Sequence, residues 1–314
     1  MCKRYLWRRY RKKVQLPAIE MSLIAIANTH NKEDFYNSNG FYRQLIYKKK
    51  KSLVLKRSIN NSIVTMILNE RKKNKRIGAR RMYYKFNIKT IGVNKFEKIM
   101  SENNLSVKNR KKRIITTQGV HEQDDRNLIN GLILYDINQV IAGDITYLIT
   151  KNKTYYIFTL KDMYSKRILG LDGSEDMTTE SVLKALNQAY KLRGKSINYC
   201  IHHTDAGSQY KSTLYKKYMK KHMLKPSYAD NCLENGMAEQ LNGMVKNDYL
   251  PSEIKNVNEL KKLLKNIKKK LNEEIPIKEL GYKTPIQFEC EIEKIPLNQR
   301  KKIKLYDFKK KGDF

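Results

Sequence analysis

VIAGDITYLITKNKTYYIFTLKDMYSKRILGLD, residues 140–172, holds three apolar runs separated by the short polar breaks KNK and SK. Runs 140–149, 154–162 and 167–172 are rich in β-branched and aromatic residues, with Ile145, Tyr147 and Ile149 alternating on one face of the first. The stretch therefore predicts three strands joined as hairpins. Downstream, residues 178–192 place Val182, Leu183, Leu186, Ala189 and Tyr190 at helical spacing, and in the stretch INYCIHHTD at 197–205 residues 197–203 read as a strand. A helix near 208–222, a short strand over 224–228 and a helix within ENGMAEQLNGMVKNDYL at 234–250 follow. Three strands, helix, strand, helix, strand, helix is the order of a mixed sheet with helices on its faces. A last helix over 257–272 aligns Val257, Leu260, Leu264, Ile267 and Leu271 in one stripe, with Lys261, Lys262, Lys265, Lys268, Lys269 and Lys270 mostly off it. From about residue 296 the chain reads as a loose basic tail.

Charge divides the chain. Residues 1–113 carry 31 Lys and Arg against 6 Asp and Glu, a balance of +25, and the remaining 201 residues carry a balance of only +9. A basic front and a nearly balanced back point to a nucleic-acid grip joined to a folded unit, because neutralising phosphates is what such charge does best. Residues 1–55 read as a basic arm and 108–135 as a basic and polar linker. Between them, residues 56–107 read as three short helices, the first marked by Ile59, Ile63, Met66 and Ile67 and the third by Phe96, Ile99 and Met100. With Arg80, Arg81, Lys85, Lys95 and Lys98 on exposed positions, this segment fits an all-α helix-turn-helix module for DNA. Cys2, Cys200, Cys232 and Cys290 form no C-x-x-C pair, so they read as free thiols of a reducing, cytoplasmic compartment. The sequence holds no run of about 18 apolar residues.

Three carboxylates occupy positions suited to phosphodiester chemistry. Asp144 lies in a strand, Asp205 at the carboxyl end of another, where open sheets place their ligand sites, and Glu239 on a helix. On that helix Met237, Leu241 and Met244 fall on one side, while Glu239 and Lys246 fall on the other, flanked by Asn235 and Asn242. Converging carboxylates repel one another, and a pair of magnesium ions would relieve the repulsion and bridge a scissile phosphate. Lys246 would then touch a DNA phosphate as a mobile point charge. His202 and His203 read as strand residues, alternately buried and exposed.

At these positions the chain resembles the DDE transposases of bacterial insertion sequences of the IS-three type, in their downstream-frame product. DITY at 144–147 and HHTDAGSQY at 202–210 are similar to that family's two aspartate motifs, and ENGMAEQLNGMVKNDY at 234–249 to its glutamate helix, including the lysine seven residues on. LGYKTPIQF at 280–288 resembles its closing segment, and IGARRM at 77–82 with VNKFEKIMSENNL at 93–105 its upstream helix-turn-helix. The resemblance covers about residues 56–290. It departs from the family pattern at Ile141, where Trp is usual, at Glu234, where Asp is common, and at Ile275 and Ile277, where Arg and His are usual.

The resemblance implies a ribonuclease-H-like, retroviral-integrase-type core over 136–290, a mixed five-stranded sheet with flanking helices, followed by a basic tail from 291. It implies Asp144, Asp205 and Glu239 as the catalytic and metal-holding triad of a polynucleotidyl transferase, with Mg2+ as cofactor and Mn2+ as substitute. It further implies double-stranded DNA as partner (element ends and target), a homo-oligomer on that DNA, and an upstream-frame fusion or partner. Two other readings stay open: a DNA-binding relic that has lost its chemistry, and a nuclease acting on RNA–DNA hybrids.

Overall fold

The computed structural model describes residues 43–107, 127–151, 153–205, 207–229 and 236–305. The expected arm up to residue 42, the linker run at 108–126, Glu234, Asn235, Cys2, Cys232 and the tail beyond 305 lie outside the described residues. The chain divides into two units, one ending at Glu70 and one beginning at Arg71. In the first, the described residues form most of one long helix, α1 (Arg43–Lys73), which starts well before the position near 58 that the sequence predicts. Apolar spacing marks where a helix is buried, and the lysine-rich turns before Ile59 carry helix propensity without that spacing.

The second unit opens with the last turn of α1 and two short helices, α2 (Ala79–Lys85) and α3 (Val93–Glu102). Met82, Phe96, Ile99 and Met100 are buried between them, Tyr83 sits edge-on to Phe96, and the Tyr83 hydroxyl donates to Ile91 O at 2.9 Å. This segment is bound to the rest of its unit. Arg76 pairs with Asp248 at 3.4 Å, Lys85 with Glu274 at 3.3 Å, and the Tyr84 and Tyr282 rings stack 4.1 Å apart.

The strands that follow are β1 (Ile133–Leu134), β2 (Val140–Ile149), β3 (Thr154–Asp162), β4 (Ile168–Ser174), β5 (Ile201–Thr204), β6 (Lys225–Tyr228) and β7 (Ile303–Lys304). The interspersed helices are α4 (Thr179–Arg193), α5 (Ser208–Lys211), α6 (Thr213–Lys221), α7 (Gly236–Met244), α8 (Val257–Glu273) and α9 (Pro285–Ile292). Five strands form one sheet in the order β4-β3-β2-β5-β6, with β2, β3 and β4 antiparallel and β2, β5 and β6 parallel. This is the mixed, helix-flanked sheet of the ribonuclease-H-like expectation. Its strand alternation divides the core. Ile141, Phe158, Leu160 and Leu169 face α4, α5 and α6, while Val140 and Ala142 meet Ala238 of α7 and Ile292 of α9 on the other side.

Several expectations are corrected. The strand read over 197–203 is only Ile201–Thr204, because Tyr199 takes a left-handed φ of 66° and ends the extended run. The single helix read near 208–222 is split at Ser212, whose side chain caps α6 by accepting from Tyr215 N. Residues 303–305 are not loose: β7 pairs with β1, and Leu305 is buried. No residue in 296–305 has a strand-like apolar run, so only the partner strand reveals the pairing.

The outer edge of β4 is closed by side chains. The Asn272 amide accepts from Ile168 N and donates to Ile168 O, both at 2.9 Å, and Gln188 does the same at Leu171 at 3.2 and 3.4 Å. These amides stand in for a sixth strand and block edge-to-edge pairing. A second tie comes from Glu289 on α9. Buried, it accepts from Ser165 Oγ at 2.6 Å and bridges the guanidinium groups of Arg167 and Arg193. Glu289→Ala leaves two largely buried cations without their anion, and should cost about 3–5 kcal/mol of unfolding free energy in urea titration. A loss under about 1 kcal/mol would show that this triad does not hold α9 in place.

Candidate catalytic site

Parallel pairing sets the first two carboxylates. Ala142 of β2 lies opposite His203 of β5, so continuing the register by two residues puts Asp144 opposite Asp205 just past the strand end. Asp144 lies mid-strand, paired across β3 with Thr159, and shares its face with Val140 and Ala142, which α7 covers. Gly143 cannot carry a side chain: a Cβ there would lie 2.5 Å from His202 Nε2 and 3.1 Å from both Leu160 and Thr204. The central strand is thus pressed against its neighbours where it delivers Asp144.

Both Asp144 oxygens are engaged. Oδ1 accepts from Ile145 N at 2.9 Å, and Oδ2 accepts from Asn242 Nδ2 at 2.6 Å. Asn242, expected to contact nucleic acid, is buried and turned to Asp144 instead. One helical turn before it, Glu239 is exposed at the start of α7, and Asp205 is exposed with Oδ1 accepting from Gly207 N at 3.4 Å. Burial, then the charge of Asp205, raises the Asp144 carboxyl to about 7, with a smaller contribution from Glu239. Glu239 is itself raised by desolvation. The three carboxylates therefore share one electrostatic neighbourhood. Among the described residues, however, no group of three or more His, Cys, Asp or Glu is close enough to hold a metal ion.

The donor set fits a hard divalent cation: all oxygen, with negative charge whose mutual repulsion a cation would offset. Each Asp144 oxygen keeps a further lone pair beyond its hydrogen bond.

Lys246 lies where α7 widens into a π-helical turn, Val245–Tyr249, so its placement differs from a continued α-helix. Its Nζ donates to Tyr147 O at 3.2 Å and lies over the Tyr147 ring, three residues beyond Asp144 on β2. Of the basic residues expected to meet DNA, Lys95 is exposed. Arg80 forms a two-pronged pair with Glu97 at 2.8 and 3.4 Å, Lys98 pairs with Glu102 at 3.7 Å, and Lys85 with Glu274. Arg81 is half-buried, and its charge, with that of Lys166, helps burial lower Lys161 to about 8. Sequence reading missed the buried Lys161, because a lysine at the end of a strand carries no local sign of burial, whereas β3 is covered on both faces there.

His202 and His203 do not alternate. Both are buried, because β5 is flanked by strands on both sides and covered on both faces. His202 Nδ1 meets Tyr215 Oη at 2.7 Å and His203 Nδ1 meets Ser227 Oγ at 3.0 Å. Burial lowers them to about 3 and about 4, so both are neutral framework groups. Of the cysteines, Cys200 is a buried free thiol and Cys290 an exposed one. Among the described residues no helix is long and apolar enough to cross a membrane.

Residues 136–231 match the family model described as the integrase core domain. The chain is 32% identical over 119 residues to a putative transposase for insertion sequence element IS986/IS6110 of Mycobacterium tuberculosis, a match taking in 36% of this chain and 43% of that protein. It is 31% identical over 164 residues to the uncharacterized 31 kDa protein of insertion element IS600 of Shigella sonnei, covering 51% of this chain and 60% of that protein. It is 36% identical over 104 residues to transposase InsF for insertion sequence IS3A of Escherichia coli, covering 32% and 36% respectively. The matches thus span between 36% and 60% of these curated relatives' lengths. Among solved structures, the catalytic core domain of HTLV-2 integrase in complex with magnesium is similar at 22% identity and a TM-score of 0.39, over 49% of this chain and 97% of that one. The sequence matches bear out the resemblance to IS-three-type DDE transposases.

A carboxyl raised to about 7 from 3.8 makes the folded state bind the extra proton between those values, so its stability falls as pH rises through that window. Asp144→Asn should therefore raise the metal-free melting temperature relative to wild type above pH about 7, with the gain shrinking toward 3.8. Equal melting curves for both proteins across this range would remove the burden assigned to Asp144.

Proposed function

We propose that the chain is a transposase that cleaves DNA strands at insertion-sequence ends and joins a freed 3′-hydroxyl to a phosphodiester of target DNA. The observation that carries this reading is the register that sets Asp205 opposite Asp144, together with the α7 turn that supplies both Asn242 and Glu239. Asp144, Asp205 and Glu239 would hold Mg2+, or Mn2+ in its place. When bound, such ions supply the positive charge that offsets charge building on the phosphoryl oxygens and favours the attacking oxygen as its anion.

The residues themselves have distinct tasks. Asn242 and the Ile145 amide fix the orientation of the Asp144 carboxylate. Lys246, which now donates to Tyr147 O, would turn its ammonium to a DNA phosphate. In the helical segment, Arg80, Lys85 and Lys98 would exchange their present carboxylate partners for DNA phosphates. Ion pairs open to solvent hold their partners weakly, so the exchange is cheap for Arg80 and Lys98, while Lys85 is the more enclosed of the three. Arg81 and Lys95 would add to the same helix-turn-helix contact. Duplex DNA is the proposed partner, in the cytoplasm, with a homo-oligomer formed on it and an upstream-frame partner or fusion contributing.

A second reading, a DNA-binding relic without chemistry, is favoured by one observation: no three-carboxylate group among the described residues is drawn to metal-holding distance. A strand-transfer assay with Mg2+ and DNA carrying the element's flanking ends separates the two. Wild type should yield joined product, and Asp144→Ala, Asp205→Ala and Glu239→Ala should each reduce it by at least about 100-fold while retaining end binding. End binding by wild type with neither cleavage nor joining would establish the relic. Arg80→Ala with Arg81→Ala should weaken end binding and lower its salt dependence by about two phosphate contacts. An unchanged salt slope would take both arginines out of the interface.

A further inference from the structure

Helix α8 spends one face on packing and leaves the other strongly basic. Leu260, Leu264, Ile267 and Leu271 are buried against the sheet side. Lys268 also turns inward, its ammonium donating to Leu169 O at 2.5 Å and Gln188 Oε1 at 3.1 Å. On the solvent side Lys262, Lys265 and Lys269 are all exposed, with Asn258 and Asn266 beside them. At 100° per residue the three lysines fall within an arc of about 60°, and at 1.5 Å rise the first and last stand about 10 Å apart along the axis.

Among the described residues, none of these three lysines has an ion-pair partner, whereas exposed Lys151, Lys153 and Lys283 pair with Glu253, Glu175 and Glu291. Like charges three and four residues apart weaken a helix, so the three lysines repel one another, with Glu259 and Glu273 of the same helix the acidic residues nearest to them in sequence on that side. One DNA strand presents a phosphate for about every 3.4 Å of helix axis, so the stripe is matched in length to about three of them. At its carboxyl end α8 meets the end of α1: Lys270 Nζ donates to Lys73 O at 2.9 Å, and Lys72, Lys73 and Lys75 are exposed there. The basic track therefore continues from α8 toward the α2–α3 segment.

We propose that this face of α8 is a docking surface for the sugar–phosphate backbone of duplex DNA, outside the carboxylate site. It packs on β4, two strands away from the β2 strand that carries Asp144. The proposal rests on the reading of the chain as a DNA-acting protein. Its contacts are to phosphate and carry no base preference.

The test uses the full chain and a random-sequence duplex of about 30 bp, long enough to cover both the helical segment and α8. Binding is followed by fluorescence anisotropy over a salt series. The triple variant Lys262→Gln, Lys265→Gln, Lys269→Gln is compared with a control triple, Lys216→Gln, Lys217→Gln, Lys220→Gln, which removes the same charge from α6. Each lost phosphate contact lowers the slope of log affinity against log salt by about 0.9. The α8 triple should lose roughly 2–3 from that slope, so its fall in affinity from about 50 to about 200 mM salt shrinks by roughly 40-fold. The control triple should keep the wild-type slope. Thermal melts of both triples should be no lower than wild type, and that of the α8 triple slightly higher, since only exposed side chains change and the α8 repulsion is relieved.

An unchanged slope in the α8 triple overturns the proposal. Equal losses in both triples also overturn it, because bulk charge then explains the effect. So does a changed oligomeric state in sedimentation with the slope unaltered, which would make α8 a protein–protein face. Wild-type protein with no salt-dependent binding at all would overturn the DNA reading together with this surface, an outcome distinct from loss of the surface alone.

Discussion

The second unit hangs on the first half of β2, which is hydrogen-bonded on both sides and buried on both faces. Its antiparallel pairing with β3 and parallel pairing with β5 leave no freedom of register, because a one-residue slip would turn Asp144 to the α4 side and Ile141 to the α7 side. Gly143, hard against His202, Leu160 and Thr204, shows how closely the strands are drawn together there. This rigidity carries a cost. It holds a carboxylate in a poorly hydrated position beside a second one, and the Asp144 proton affinity rises in consequence. A site that opposes its own ionisation is one that favours a cation.

The periphery keeps that strand in place. Asn272 and Gln188 close the β4 edge with amide pairs that mimic a strand, and Lys268 adds an ammonium donor, its proton affinity lowered to about 8 by burial and by Arg167. At the start of β4, Asp162 shapes the β3–β4 turn by accepting from the backbone amides of Asn138, Tyr164 and Ser165. Ser165 in turn reaches Glu289, so the turn, the end of α4 and the closing helix α9 share one buried polar network. The Glu289 carboxylate is fully engaged, while Arg167 Nε and Arg193 Nε are buried without a hydrogen-bond partner among the described residues. The network also explains why a segment near the carboxyl end is needed for a sheet assembled some 120 residues earlier, since the Ser165–Glu289 bond spans 124 residues.

Much of this was legible in the sequence. Runs 140–149 and 154–162 show the β-branched and aromatic content of strands, and the apolar stripe of α8 from Val257 to Leu271 fixes which side it buries. The positions of Asp144, Asp205 and Glu239 could be placed on strand, strand end and helix from those patterns alone. What could not be read was contact between distant residues. Nothing local distinguishes Asn242 as a partner of Asp144 from Asn242 as an exposed polar residue, and only the packing of α7 over β2 decides it. The two histidines misled for a related reason: alternation assumes one wet face, and β5 has none. The π-helical turn at Val245–Tyr249, which redirects Lys246, has no residue that signals it. The β1–β7 pair joins two short segments far apart in the chain, beyond the reach of any periodicity.

Asp144, Asp205 and Glu239 thus form one electrostatic set before any cation binds. The most direct measurement is a carboxyl-carbon NMR titration of Asp144 in metal-free wild type, Asp205→Asn and Glu239→Gln. Asp144 should titrate near 7 in wild type and shift toward 3.8 in both variants, more in Asp205→Asn than in Glu239→Gln. An Asp144 that titrates near 3.8 in wild type, or identically in all three proteins, would contradict it.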